Sequence, residues 1–186
     1  MLPVVWLVVA VLVAIVFTMW ATFTLTRLDR LHARVDAAQA ALEAQLVRRA
    51  AALQHVAESP DSGLPDAERG RFDGIAREAL TLGSATPERE TVENAVGRAV
   101  TDLAERPESL RPDAVEELRE AAARVLIARR FYNDAVRDTK ALRARRMPRL
   151  FRMAGRRDLP QFFDIDDTLP APARAIPDDT KEEDPR

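Results

Sequence analysis

Few side chains in this sequence could do chemistry. Two histidines, His32 and His55, stand 23 residues apart, and cysteine is absent. Thiolate nucleophiles, disulfides and cysteine-based metal sites are therefore excluded, and the redox compartment cannot be inferred. Along one helix 23 residues span about 35 Å, so these imidazoles cannot share a metal ion within one chain. The Glu-x-x-His spacing of carboxylate metal sites in helical bundles is missing. So are the HExxH, P-loop, GxGxxG and GxSxG patterns. The expectation is a protein that is not an enzyme and takes no metal or cofactor.

Two constellations remain. The first is the run ARRFYNDAVRD at residues 128–138, where Arg130, Phe131, Tyr132, Asn133 and Asp134 place two aromatics and a carboxamide on a helix. A binding pocket is one reading. Packing is the stronger one: Phe131 and Tyr132 fall on or beside an apolar stripe, Arg130 and Asp134 can pair at i, i+4, and Asn133 can bond Arg129 or Arg137. The second constellation is basic. Residues 137–157 carry nine Lys and Arg side chains against one acid, Asp138, interleaved with Met147, Leu150, Phe151 and Met153 and broken by Pro148. Such a run is a solvated face, a nucleic-acid patch or, near a bilayer, a lipid contact.

What positions these residues is set by the start of the chain. No charged side chain occurs before Arg27, and Val4 to Phe23 is almost wholly aliphatic or aromatic. A run of about 20 such residues covers roughly 30 Å as a helix, the thickness of a hydrocarbon core. Residues 1–26 therefore read as a transmembrane anchor. A cleaved signal peptide fits less well, for lack of a basic n-region and a polar mature start. Arg27, Arg30 and Arg34 follow at once. The positive-inside rule then puts Met1 outside and the rest in the cytoplasm, on a single-pass protein of the cell (inner) membrane.

Beyond the anchor, composition favours helices. Ala, Leu, Arg and Glu dominate, aromatics are 5% and charged residues 31%, with a formal net charge of −2. Leu28, Leu31, Val35, Ala38 and Leu42 recur at three- and four-residue steps, continued by Leu46, Leu53 and Val56. One helix thus runs from the membrane to about residue 57, ending in the turn-rich stretch from Ser59 to Asp66. A second fits residues 67–82, with Asp66 as its cap and Phe72, Ile75, Ala76, Ala79 and Leu80 as its face. Thr86-Pro87-Glu88 opens a third, which Pro107 closes. Pro112 opens a fourth, to about residue 146, with Val115, Leu118, Ala122, Val125, Leu126, Phe131, Tyr132, Ala135 and Val136 as its stripe. From residue 167 the tail is acidic and proline-rich and reads as disordered.

Short connections between consecutive amphipathic helices favour antiparallel neighbours. The predicted fold is all-α: an anchor, an up-down bundle of about four helices over residues 27–166, and the tail. In that topology the fourth helix returns to the membrane. Arg145, Arg146, Arg149, Leu150, Phe151, Arg152 and Met153 then become candidates for an interface with anionic lipid, each basic charge contributing about 1 kcal/mol near the surface.

The string from Ala128 to Asp138, with Pro148, Leu150-Phe151 and Phe162-Phe163 downstream, resembles the LemA family of bacterial membrane-anchored helical proteins. Weaker matches are Arg34-Val35-Asp36-Ala37-Ala38, Gln45-Leu46-Val47-Arg48-Arg49 and Glu93-Asn94-Ala95. The chain departs from the family pattern at Gln39, at Ala50 to Gln54 and at Thr139-Lys140, as a divergent member would. The resemblance implies an N-terminal helix followed by an antiparallel bundle, and it carries no chemistry with it. The function expected is that of a membrane-anchored scaffold or docking protein with the bilayer and other proteins as partners. Homo-oligomers are possible and nucleic acid is not expected. The alternative is a lipid-binding or membrane-shaping module working through residues 145–157. Phe162-Phe163 is read as a cover for the bundle end.

Overall fold

The computed structural model describes residues 2–82, 87–106, 108, 110–144 and 158–166. Among these residues there are four helices: α1 (Leu2–Glu58), α2 (Asp66–Thr81), α3 (Pro87–Ala104) and α4 (Pro112–Arg143). No strand occurs among the described residues.

The 57 residues of α1 are unbroken, about 85 Å of helix. Its first part is a bare apolar rod. An 18-residue window there has a mean hydropathy of 2.7 and buries none of its residues, so it is long and apolar enough to cross a membrane. The hydroxyls of this part are satisfied locally. Thr18, Thr22 and Thr26 each donate to the carbonyl four residues back, at 2.8–2.9 Å.

Burial begins at Thr24 and then follows a regular stripe. Leu28, His32, Val35, Leu42, Leu46, Arg49, Leu53 and Val56 are buried, in alternating steps of four and three once Gln39 is counted between Val35 and Leu42. That is the heptad spacing of helices packed at a shallow angle. The stripe differs in detail from the predicted one. Leu31 lies at its edge and His32 takes the inward position, because four-then-three and three-then-four steps fit the same apolar residues equally well.

Between α1 and α2 the chain turns at Gly63, which sits at φ 67°, a left-handed conformation that glycine adopts without strain. Leu64 then drops into the core. Asp66 does not cap α2 as expected. It is the first helical residue, paired with Arg69, while Pro65 holds the cap position with no side-chain bond. Pro65 lies just outside the helix with ψ 147°, and Asp66 still lies in the first turn, where the helix dipole favours a negative charge. Helix α4 likewise opens with Pro112 in its first turn and ends at Arg143, three residues short of the predicted end.

The core has two parts. At the far end, away from the apolar rod, all four helices contribute, with Leu53, Phe72, Val96, Val100, Leu103 and Leu118 fully buried. At the near end α2 and α3 contribute no buried apolar residue. There Val35, Leu42 and Leu46 of α1 meet Val125, Tyr132, Ala135 and Val136 of α4, and the cluster is completed by Phe163 and Ile165 from beyond α4. The start of α1 beyond the rod thus clusters with the later part of α4, and Leu53 and Val56 near the end of α1 cluster with Val115 and Leu118 near the start of α4. The two helices therefore run antiparallel, with Arg34 and Asp138 paired at 2.9 Å across the seam.

Candidate functional site

The near end is where the distinctive residues gather. After α4, residues 158–166 run without secondary structure back along the helix they came from. Arg143 donates to the Asp158 carbonyl at 3.1 Å, and Arg129 meets the Asp164 carboxylate at 3.4 Å. Fourteen helical residues rise about 21 Å, and six extended residues cover about 20 Å. The segment is an extended strap lying alongside α4.

The strap is held mainly by its backbone. The Tyr132 hydroxyl donates to the Gln161 carbonyl at 2.8 Å. Asn133 donates from Nδ2 to the Phe163 carbonyl at 3.0 Å, and its Oδ1 accepts from the Phe163 amide at 3.0 Å. From α3, Glu90 accepts from the Asp164 amide at 3.0 Å and Asn94 from the Asp166 amide at 2.7 Å. Side chains alternate as in any extended chain. Phe163 and Ile165 are buried in the near-end core, while Phe162, Asp164 and Asp166 face outward, with the Lys140 ammonium over the Phe162 ring at 4.2 Å. Burial pushes the Tyr132 phenol above its ordinary value.

These contacts revise the reading of Arg130 to Asp134. Tyr132 packs as expected. Phe131 does not: it is 63% exposed, one residue of helical rotation outside the buried stripe. Asn133 bonds the strap rather than Arg129 or Arg137. Asp134 pairs with Arg137 at 2.7 Å, not with Arg130, since an i, i+3 arginine reaches it as readily as an i, i+4 one. Phe162 and Phe163 divide their roles, one outside and one in the core.

Outside the buried stripe, Phe131 and the 54% exposed Ile127 border a shallow apolar cleft of about 260 Å³ between α1 and α4. Ala38, Ala41, Ala128, Gln45 and Arg124 complete its lining.

A second feature was hidden in the sequence. Arg49, Arg89 and Glu93 are buried at 4%, 2% and 0% exposure. Arg49 donates to the Glu93 carboxylate and to the Glu93 carbonyl, both at 2.8 Å. Arg89 lies 2.8 Å from the other carboxylate oxygen and also donates to the Leu82 carbonyl. Burial draws the Arg49 guanidinium below its usual value, and Glu93 opposes that pull. The triad ties α1 to α3. Arg89 and Glu93 form a local i, i+4 pair, but Arg49 stands 44 positions before Glu93, so no local pattern reveals that the three meet.

The basic candidates Arg145, Arg146, Arg149, Leu150, Phe151, Arg152 and Met153 lie outside the described residues, as does the tail from residue 167. His32 is buried against the Leu28 carbonyl, whereas His55 is exposed at the far end. Among the described residues no group of three or more His, Asp or Glu is placed to hold a metal ion. Comparisons with protein-family models, curated proteins and solved structures yield no match.

Proposed function

We propose that the chain is a divergent LemA-like protein, anchored in the bacterial inner membrane by residues 4–23 of α1, with Met1 outside. Its bundle stands on the cytoplasmic side as a docking platform for another protein and carries out no reaction of its own. The observation that supports this reading most directly is the continuity of α1, whose exposed apolar rod passes without a break into the buried heptad stripe of the bundle. Anchor and platform are thus one rigid element. The cleft beside Phe131 and Ile127 is the surface offered for docking, since large apolar side chains left exposed side by side mark contact sites. A photo-crosslinking residue at position 131, activated in native membranes, should capture one protein in stoichiometric yield. Crosslinks to lipid alone would refute the docking role. A cytoplasm-active reporter fused after Arg186 tests the orientation, and a silent reporter overturns it.

A second reading has its own support. The Arg34–Asp138 pair spans the antiparallel seam, so Arg143 and Ala144 stand level with the first charged turn of α1. The basic segment 145–157 starts from that point. A role in gripping anionic headgroups predicts that, in nanodiscs, residues 145–157 of the full chain gain hydrogen-exchange protection with anionic lipid and lose it at high salt. Equal protection in neutral lipid would dispose of this reading.

A further inference from the structure

The bundle reads residues 161–166 as a receptor reads a bound peptide. Among the described residues, the side chains that bond the backbone of residues 161–166 belong to α3 or α4: Glu90, Asn94, Tyr132 and Asn133. Alternate side chains enter the core at Phe163 and Ile165, while Lys140 and Arg129 meet the outward Phe162 and Asp164. Main-chain bonds that supply affinity, with alternating pockets that supply selectivity, are the signature of extended-peptide recognition. None of these contacts requires that strap and groove share a chain.

We infer that the groove between α3 and α4 is a recognition site for an extended Phe-Phe-Asp-Ile segment, filled at rest by the chain's own strap and open to the strap of a second copy, giving a strap-exchanged dimer. Two observations favour a second copy as the alternative donor. The Phe-Phe-Asp-Ile segment that fits is already present in every chain. The connection is also long enough: residues 145–157 span up to about 45 Å when extended, yet their ends are close, with Arg143 bonded to the Asp158 carbonyl. Exchange preserves each strap contact and closes on two copies, as symmetric swapping does. The inference draws on the membrane reading in one respect: copies anchored by α1 lie at one height, so exchange needs lateral movement only.

The absence of native cysteine makes the test direct. Lys140→Cys and Phe162→Cys replace two touching side chains that take no part in the backbone clamp. Chains bearing one substitution each, with different tags, are produced together, and their membranes are treated with a short thiol crosslinker. The expected product is a covalent dimer carrying both tags, its yield falling several-fold when Asn133→Ala is added to the K140C chain. A doubly substituted chain that links internally while the singly substituted chains never join would overturn the exchange. Failure of the double variant to link at all would overturn the groove itself. Retention of the chains in membranes after an alkaline wash, scored in the same samples, reports separately on anchoring.

Discussion

Asn133 satisfies both main-chain polar groups of Phe163, donating to its carbonyl and accepting from its amide, each at 3.0 Å. A side-chain amide carries an N–H donor and a carbonyl acceptor side by side, so it can bond a peptide unit in both directions at once. This pairing fastens the strap over a part of the bundle to which α2 and α3 contribute no buried apolar residue.

Replacement of Asn133 by Ala leaves the Phe163 amide and carbonyl without partners. Partly buried groups stranded in this way cost about 1–3 kcal/mol. Hydrogen exchange and protease cleavage in residues 158–166 should rise by one to two orders of magnitude, while α2 and α3 keep their protection. Asn133→Asp, which keeps an acceptor and loses the donor, should fall between wild type and Ala.

Alkaline pH should loosen the same contact. Burial raises the Tyr132 phenol above its unfolded value near 10, because the docked form disfavours the phenolate. Stability is therefore fully present below pH 10 and declines as the pH rises from there through the folded-state value. Tyr132 is the sole tyrosine, so phenolate absorbance reports it alone. Its midpoint should lie above 10, and Tyr132→Phe should abolish this part of the alkaline decline. A midpoint at or below 10 would contradict the burial.

The Arg49–Glu93–Arg89 triad should be fragile to single changes. Glu93→Ala leaves two buried guanidinium groups without their shared anion, a loss of about 3–5 kcal/mol. Joint replacement of all three by apolar residues of similar size should be far milder, since the desolvation of three charges disappears with them. Denaturant midpoints of the two variants compare these outcomes directly.

Helix α2 offers gains. A Cβ added at Gly70 or Gly74 would meet nothing within 4 Å, and both residues are inside the helix. Gly70→Ala and Gly74→Ala should each stabilise by up to about 1 kcal/mol, read as additive increases in melting temperature.

Much of this architecture is written in spacing. The apolar faces of α2 and α3, the prolines that open α3 and α4, and the long apolar start of α1 all follow from local periodicity and end signals. Other features depend on partners far away in the chain. Arg49 sits at a core position of the heptad, and only Glu93, 44 residues later, makes that burial tolerable. Asn133 on a helix surface can bond arginines one turn away, and it turns to Phe163 because a strap 30 residues downstream presents a free peptide unit. The strap did leave a trace: Phe163 and Ile165, two residues apart, have the period of an extended chain with one buried edge. Phe131 had no such trace, since a residue beside a stripe can rotate either way.

The unbroken course of α1 has a mechanical consequence. From Arg27 to Glu58 the helix continues about 48 Å past the apolar run. On the membrane reading it acts as a lever with its pivot in the bilayer. A change of about 10° in the tilt of the span would carry the Glu58 end sideways by about 8 Å, while the strap at the near end moved far less. Since tilt answers to hydrocarbon thickness, the far end of the bundle would act as a pointer whose position reads out how thick the surrounding membrane is.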